Sequence, residues 1–377
     1  MSIFVDDFNF DNGWIKTGSW VDSAYSIANG VMTITAGVGG AGTSAYTRSD
    51  FISRNAVITV RAGVGVAGYP QIHLREASAT DYLVVYINPS DGTFNIGKFV
   101  AGVYTSFGST VINSFNANST YTFSGMVFEN CLHGTMMRGD GSVDVELESI
   151  SVDVSGFIGM NHGIGLTSTT QKYDWIEMRI LNSLVNVVAV GDSNVGPANR
   201  LMWPEQMVKR RLGSDILVRN KGIGGYSTQD VIDNYTDFVT PFRVIGARNV
   251  MIIGTGNNDF AVEAKTAAQA HAKQRELILL AQAEAWECQL NTLIPFEYAG
   301  DPITFIQDLN TLITGGKTTY NYISADIYTA FGAVVGSTAV SPTTLRNADG
   351  IHYTTAGKSL AAKTILYTLA RNDRAVA

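Results

Sequence analysis

Val187-Val-Ala-Val-Gly-Asp-Ser-Asn194 is a run of small and β-branched apolar residues that ends in four turn-forming ones. Such a run reads as a buried strand, and Gly191 lets the backbone turn sharply where a Cβ would clash. The stretch delivers Ser193 at the carboxyl end of a strand, just before a helix. Ligands bind at that edge of an open α/β sheet, and a serine hydroxyl there becomes a nucleophile when a base reaches it. An ordinary strand-to-helix turn capped by Asp192 or Ser193 would look the same over these few residues, so the rest of the chain has to decide.

Around this stretch, over residues 184–377, strands alternate with helices. Trp203-Pro204 opens a helix that Gly213 stops, since proline suits a first turn and glycine a last. Asp215–Arg219 is a second strand, Asn249–Gly254 a third, Gln289–Pro295 a fourth and Tyr322–Asp326 a late one. A long helix is expected over Ala264–Glu287, another opens at Asp301-Pro302, and an Ala- and Leu-rich helix closes the chain near Arg371. The alternation predicts a parallel sheet with helices on both faces.

Three loops then follow successive strands and meet on one edge, and each holds something that acyl transfer needs. The first carries Ser193. The second, Asn220-x-Gly222-x-x-Gly225, offers an unhindered backbone N–H at Gly225. The third, Gly256-x-Asn258-Asp259, offers the side-chain amide of Asn258. With the serine's own N–H, two such donors make an oxyanion hole. Asp349-x-x-His352 sets a carboxylate beside an imidazole, so His352 can take the Ser193 proton while Asp349 orients the ring. His271 is the second histidine of this half; it lies in a helix body without a partner motif and is expected to be solvated.

Residues 1–183 read as strands throughout. Runs such as Val31–Thr35, Ala56–Val60, Tyr82–Ile87, Val143–Leu147 and Trp175–Ile180 are separated by turn signals such as Asn29-Gly30, Asp91-Gly92 and Asp140-Gly141. Strands at this spacing imply a β-sandwich. His73, His133 and His162 share no ligand spacing and are read as structural or exposed. Trp14, Trp20 and Tyr25 could stack on a sugar, but aromatics in a sandwich more often form core. Asp6 and Asp7 could hold calcium, yet the EF-hand spacing is missing.

Composition narrows the function classes. At 377 residues two domains are the natural division. A net charge of −7 argues against a general nucleic-acid binder, which needs a basic stripe. Cys131 and Cys288 lie in different halves, allow neither a disulfide framework nor a zinc site, and read as buried free thiols. The amino terminus shows no signal-peptide pattern, and no apolar run reaches the ~18 residues of a membrane span.

The four blocks around Ser193, Gly225, Asn258 and Asp349–His352, in this order, resemble the SGNH (GDSL-type) hydrolase family, with Asn194 where the eponymous motif has leucine. Trp203-Pro204 after the serine block is similar too. The resemblance implies a three-layer α/β/α flavodoxin-like fold and ester hydrolysis without a metal or other cofactor. It assigns Ser193, Asp349 and His352 as the triad, and Ser193, Gly225 and Asn258 as the oxyanion hole. The first half more loosely resembles the concanavalin- and laminin-G-like jelly rolls, through Asp6-Asp7-Phe8 with Trp14, Ala28-Asn29-Gly30-Val31 and Tyr173-Asp174-Trp175-Ile176. Such domains often bind glycans. Joined to an esterase, one favours removal of acetyl groups from polysaccharide. The alternatives are a general acyl esterase or lipase, and an attachment protein that binds glycan without turnover. The architecture is similar to bacteriophage tail modules, which would carry the chain to a cell surface on a virion; a cytoplasmic site is the other possibility.

Overall fold

A computed structural model describes residues 3–6, 15–16, 24–28, 31–35, 44–47, 53–64, 69–78, 80–137, 143–149, 157, 161–166, 170–196, 202–204, 206–207, 215–294, 302–332, 345, 347 and 352–373. The chain divides into two compact units. One comprises Met1–Leu184 with Arg211–Asp215 and Val244–Gly246; the other comprises Val185–Arg210, Ile216–Arg243 and Ala247–Ala377.

The first unit is all-β. One antiparallel sheet runs, in spatial order, Val143–Ser149, Cys131–Met137, Thr120–Phe128, Ala56–Gly63, Thr170–Ile180, Val31–Thr35 and Ala24–Ala28, and Ile3–Asp6 also pairs with Thr170–Ile180. The other runs Val103–Val111, Thr93–Val100, Asp81–Asn88, Gln71–Ser78, Asn161–Leu166, Ser44–Thr47 and Ile15–Lys16. Strand alternation decides what is inside. Leu83, Val85 and Ile87 of one strand and Phe94 and Ile96 of its neighbour enter one core with Ile58, Val60, Phe123 and Ile176 of the facing sheet. Cys131 is a buried thiol outside any disulfide.

All three histidines of this unit are buried. His162 Nδ1 accepts the backbone N–H of Arg75 at 3.3 Å, and its Nε2 donates to the Ser53 carbonyl at 2.7 Å. His73 sits between Gln71 Oε1 at 2.8 Å and Glu76 Oε2 at 3.3 Å and stacks on Tyr82. They are structural residues. Asp7, Phe8, Trp14, Trp20 and the turns Asn29-Gly30 and Asp140-Gly141 lie outside the described residues, whereas Asp6 and Tyr25 fall in the strands Ile3–Asp6 and Ala24–Ala28.

The second unit is built on a five-stranded parallel sheet in the order Ile216–Asn220, Val185–Gly191, Arg248–Gly254, Glu287–Asn291 and Ile323–Ala325. In chain order this is 2-1-3-4-5, so connections leave the first strand on opposite sides and open a crevice at the carboxyl ends of the first and third. Val188 and Val190 of the first strand face the helices Ala267–Ala283 and Pro302–Tyr320, and Val187 and Ala189 face the closing helix Thr355–Asp373. A strand covered on both sides is mostly apolar, which is what Val187–Val190 supplies. Its one buried polar side chain, Asn186, is hydrogen-bonded to Asn249 and the Phe242 carbonyl.

Some boundaries differ from those expected. The long helix spans Ala267–Ala283, not Ala264–Glu287. A capping box between Thr266 and Gln269 starts it, Ala285 turns to φ 60° beyond its end, and Glu287 already belongs to the fourth strand. High helix propensity at both ends concealed these limits. His271 is not solvated: it is buried against the Tyr320 ring, and burial lowers its pKa. Among the described residues no helix is long and apolar enough to cross a membrane.

Candidate active site

The first strand ends at Gly191, paired with Gly254 of its neighbour. A Cβ on Gly191 would run into the Gly254 carbonyl and meet Val195 Cγ2 at 2.6 Å. The turn that follows is closed on Asp192. Its carbonyl accepts the N–H groups of Val195 at 3.0 Å and Gly196 at 2.7 Å, and its carboxylate accepts that of Asn194 at 2.8 Å. Ser193 is left half-buried between two buried neighbours.

The second loop is laced onto this turn. Lys221 and Ile223 donate to the carbonyls of Ala189 and Gly191 at 2.8 and 2.9 Å, and Asn220 Nδ2 donates to the Val195 carbonyl at 2.7 Å. Gly224 thereby comes beside Ser193, a Cβ on it standing 3.7 Å from the serine Cβ. Gly225 follows at φ +87°, a conformation L side chains resist, with open space where a Cβ would be. The third loop brings Asn258 at the start of the helix Asn257–Ala261. Asn258 Nδ2 donates to the Tyr226 carbonyl at 3.0 Å. A side-chain amide has two donor hydrogens, so this bond aims the group and leaves one for a ligand.

His352 arrives from the far end of the chain. Its loop is pinned by Asn347 N–H to the His352 carbonyl at 2.8 Å and Thr354 N–H to the Leu345 carbonyl at 3.0 Å. His352 Nε2 lies 2.8 Å from Ser193 Oγ, across 159 residues of sequence. Asp349 lies outside the described residues. The structure thus joins Ser193 to His352 directly and carries Gly225 and Asn258 on the loops beside them.

Sequence reasoning did not single out the acids that hold this arrangement. Asp259 is fully buried, accepts Thr228 N–H at 3.0 Å and Thr228 Oγ at 2.7 Å, and so ties the third loop to the helix Thr228–Asp233 after the second. Burial raises its pKa, and the Thr228 bonds and Lys265 oppose that. Burial likewise pushes the Asp192 carboxyl up to about 7, with the charge of Asp259 adding to it, against the Asn194 N–H, the nearby His352 and a side-chain hydrogen bond from Asn257, which draw it down. Their signal was present, since both adjoin a motif residue, but an acid beside a turn is usually a solvated cap.

This geometry can be set beside known proteins. Residues 168–365, just over half of the chain, match the model of the GDSL-like Lipase/Acylhydrolase family. The chain belongs to this family. A GDSL-family chain is an ester-cleaving hydrolase, so a serine hydroxyl in contact with an imidazole is the arrangement its chemistry calls for. Among solved structures, the chain is similar to a member of the lipolytic protein G-D-S-L family from Veillonella parvula DSM 2008, 17% identical with a TM-score of 0.41 over 50% of this chain and 99% of that one. It is similar to a GDSL-like lipase from Bacteroides thetaiotaomicron VPI-5482, at 19% and 0.42 over 50% and 88%. It is also similar to Axe2, an acetylxylan esterase from Geobacillus stearothermophilus, at 17% and 0.40 over 50% and 95%. No curated protein matches the chain.

Proposed function

We propose that this GDSL-family hydrolase is a serine esterase that removes acetyl groups from a carbohydrate, with Ser193 as nucleophile, His352 as base and Asp349 as the group that orients it. The single observation that carries the catalytic part is the 2.8 Å contact between His352 Nε2 and Ser193 Oγ. Ser193 Oγ attacks the acyl carbon as its proton passes to His352 Nε2. The oxyanion takes hydrogen bonds from the N–H groups of Ser193 and Gly225 and from Asn258 Nδ2. His352 then protonates the departing alcohol, and a water activated by the same imidazole releases the acid and restores the serine.

The carbohydrate part of the reading rests on the all-β unit, taken here as a concanavalin-like jelly roll. On its second sheet Tyr86 has the opposite parity to the core residues Val85 and Ile87, and Phe99 to Phe94 and Ile96. Tyr69, Tyr86, Phe99 and Tyr104 form a chain of half-buried rings there, with centroids 5.2–6.4 Å apart. Flat half-buried rings of this kind suit stacking against sugar faces. Transport to a cell surface on a virion tail belongs to the same reading.

Purified chain is expected to release acetate from an acetylated polysaccharide and to hydrolyse p-nitrophenyl acetate, and Ser193→Ala to lose more than about 100-fold on both. Turnover of the small ester without release from any acetylated glycan would return the chain to a general acyl esterase. Glycan binding without turnover of either would leave an attachment protein.

A further inference from the structure

Asn194 replaces the leucine of the family's eponymous motif, and its side chain is unusual in its surroundings. The residue is 4% exposed, and neither Nδ2 nor Oδ1 has a hydrogen-bond partner among the described residues. Asn257 Oδ1 and Asp192 Oδ2 are buried in the same condition. Buried polar atoms are normally paired, because an unpaired one forfeits its hydration with nothing in return. Here four such atoms fall within one residue of Ser193 or of Asn258, and the three that belong to Asn194 and Asn257 lie on one cavity, where they ask for a common partner.

There is room for one. A cavity of about 20 Å³ lies under the carboxyl ends of the first, third and fourth strands, lined by Asn194, Asn257, Thr255, Thr292, Trp203 and Tyr353 among others. A water needs about 10–15 Å³ and two to four polar partners. The volume is therefore enough for water, and Ser193 and His352 stand outside the lining.

We propose that ordered water fills this cavity and bridges Asn194 to Asn257, making Asn194 a positioning residue for the oxyanion hole. Asn194 Nδ2 donates to the water, and the water donates to Asn257 Oδ1 and to Asn194 Oδ1. Asn257 directly precedes Asn258 and its side chain already bonds Asp192; a bridge that also holds its unpaired Oδ1 sets the backbone carrying the oxyanion donor at a constant distance from Ser193. A misplacement of the order of an ångström there is costly to the transition state. The catalytic consequence rests on the esterase reading; the occupancy of the cavity does not.

Two arms test it. A crystal structure of the wild-type chain, at a resolution that shows ordered water, is expected to place a water within hydrogen-bond distance of both Asn194 and Asn257. A dry cavity, or Asn194 turned to another partner, overturns the proposal, and this arm decides even if the chain hydrolyses no ester. In the second arm Asn194→Leu fills the cavity and expels the water, whereas Asn194→Ala leaves it room. On p-nitrophenyl acetate Asn194→Leu is expected to lose about tenfold in kcat at unchanged KM while melting no lower than wild type. Asn194→Ala is expected to melt lower yet keep a kcat closer to wild type. A residue that merely packs would give the reverse order, so equal rates, or Asn194→Ala the slower of the two, overturn the role.

Discussion

The two units bury imidazoles and carboxylates in different ways. In the all-β unit His162 spans a carbonyl and a backbone N–H, and His73 lies between Gln71 and Glu76 with its ring on Tyr82. Each ring nitrogen there is used by the fold itself. In the α/β unit His352 Nε2 meets a half-buried serine hydroxyl at a strand edge, and Asp192 and Asn194 keep buried atoms unpaired beside it. Arg75 Nη1 beside His162 is unpaired as well, so the contrast is confined to the rings: an imidazole with both nitrogens used rigidifies a core, and one facing a hydroxyl at a sheet edge is available to a ligand. The distinction lies in partners, not in residue type.

Substitutions can break or sharpen that contrast. The largest loss is expected from His352→Ala, at least about 10³-fold in kcat/KM with the fold intact by circular dichroism. Asp349→Asn should cost less, provided other groups also orient the ring; equal losses would make Asp349 indispensable. Asn258→Ala is expected to lower kcat by about 10²–10³ with little change in KM, because its amide meets charge that forms only in the transition state. An effect on KM alone would reassign it to ground-state binding. In the other unit Glu76→Ala strips the buried His73 of a partner and should cost about 1–3 kcal/mol of stability, read from urea unfolding, with kcat on the small ester unchanged. A loss of kcat there would erase the contrast.

The smallest effects expected are with pH, and they run in opposite directions. Burial holds the His162 imidazole down at about 4, below the usual histidine value of 6.5, and the Arg75 N–H requires an unprotonated Nδ1. Between those values the unfolded chain binds the proton and the folded one does not. His162 therefore contributes stability that is lost as pH falls from 6.5 toward 4. Asp192, held up at about 7 against an ordinary 3.8, binds a proton in the folded state only, so its contribution is lost as pH rises through that window. Hydrogen exchange should then show protection of Thr170–Ile180 weakening on acidification relative to Arg248–Gly254. Asp192→Asn should be favoured over wild type most near pH 7 and lose that advantage toward pH 4. A constant difference between the two proteins across the window would contradict the assignment.

Much of the second unit was legible in the chain itself. An all-apolar β-branched run such as Val187–Val190, followed at once by Gly191 and turn residues, reads as a strand buried on both faces that ends in a turn. The serine, glycine and asparagine blocks declared themselves because each follows a strand, the histidine block because it sets a carboxylate beside an imidazole, and all four carry residue types that acyl transfer requires. The first unit was legible as strands, since period-2 alternation marks them, but its polar residues were not. His73, His133 and His162 look alike in sequence, and nothing local says that each is buried or what it meets.

The sequence by itself therefore determined the element types, the strand-end positions of Ser193 and Asn258, and the family to which the catalytic blocks are similar. These follow from local rules: apolar periodicity, glycine at tight approaches, caps at helix starts. The tertiary structure alone decided the strand order 2-1-3-4-5, the meeting of Ser193 with His352 across 159 residues, the burial of His271, and the fate of Asp192, Asn194 and Asp259. A side chain's burial and partners depend on segments distant in sequence that pack against it. That is why a motif can name a residue while only the fold shows what the residue touches.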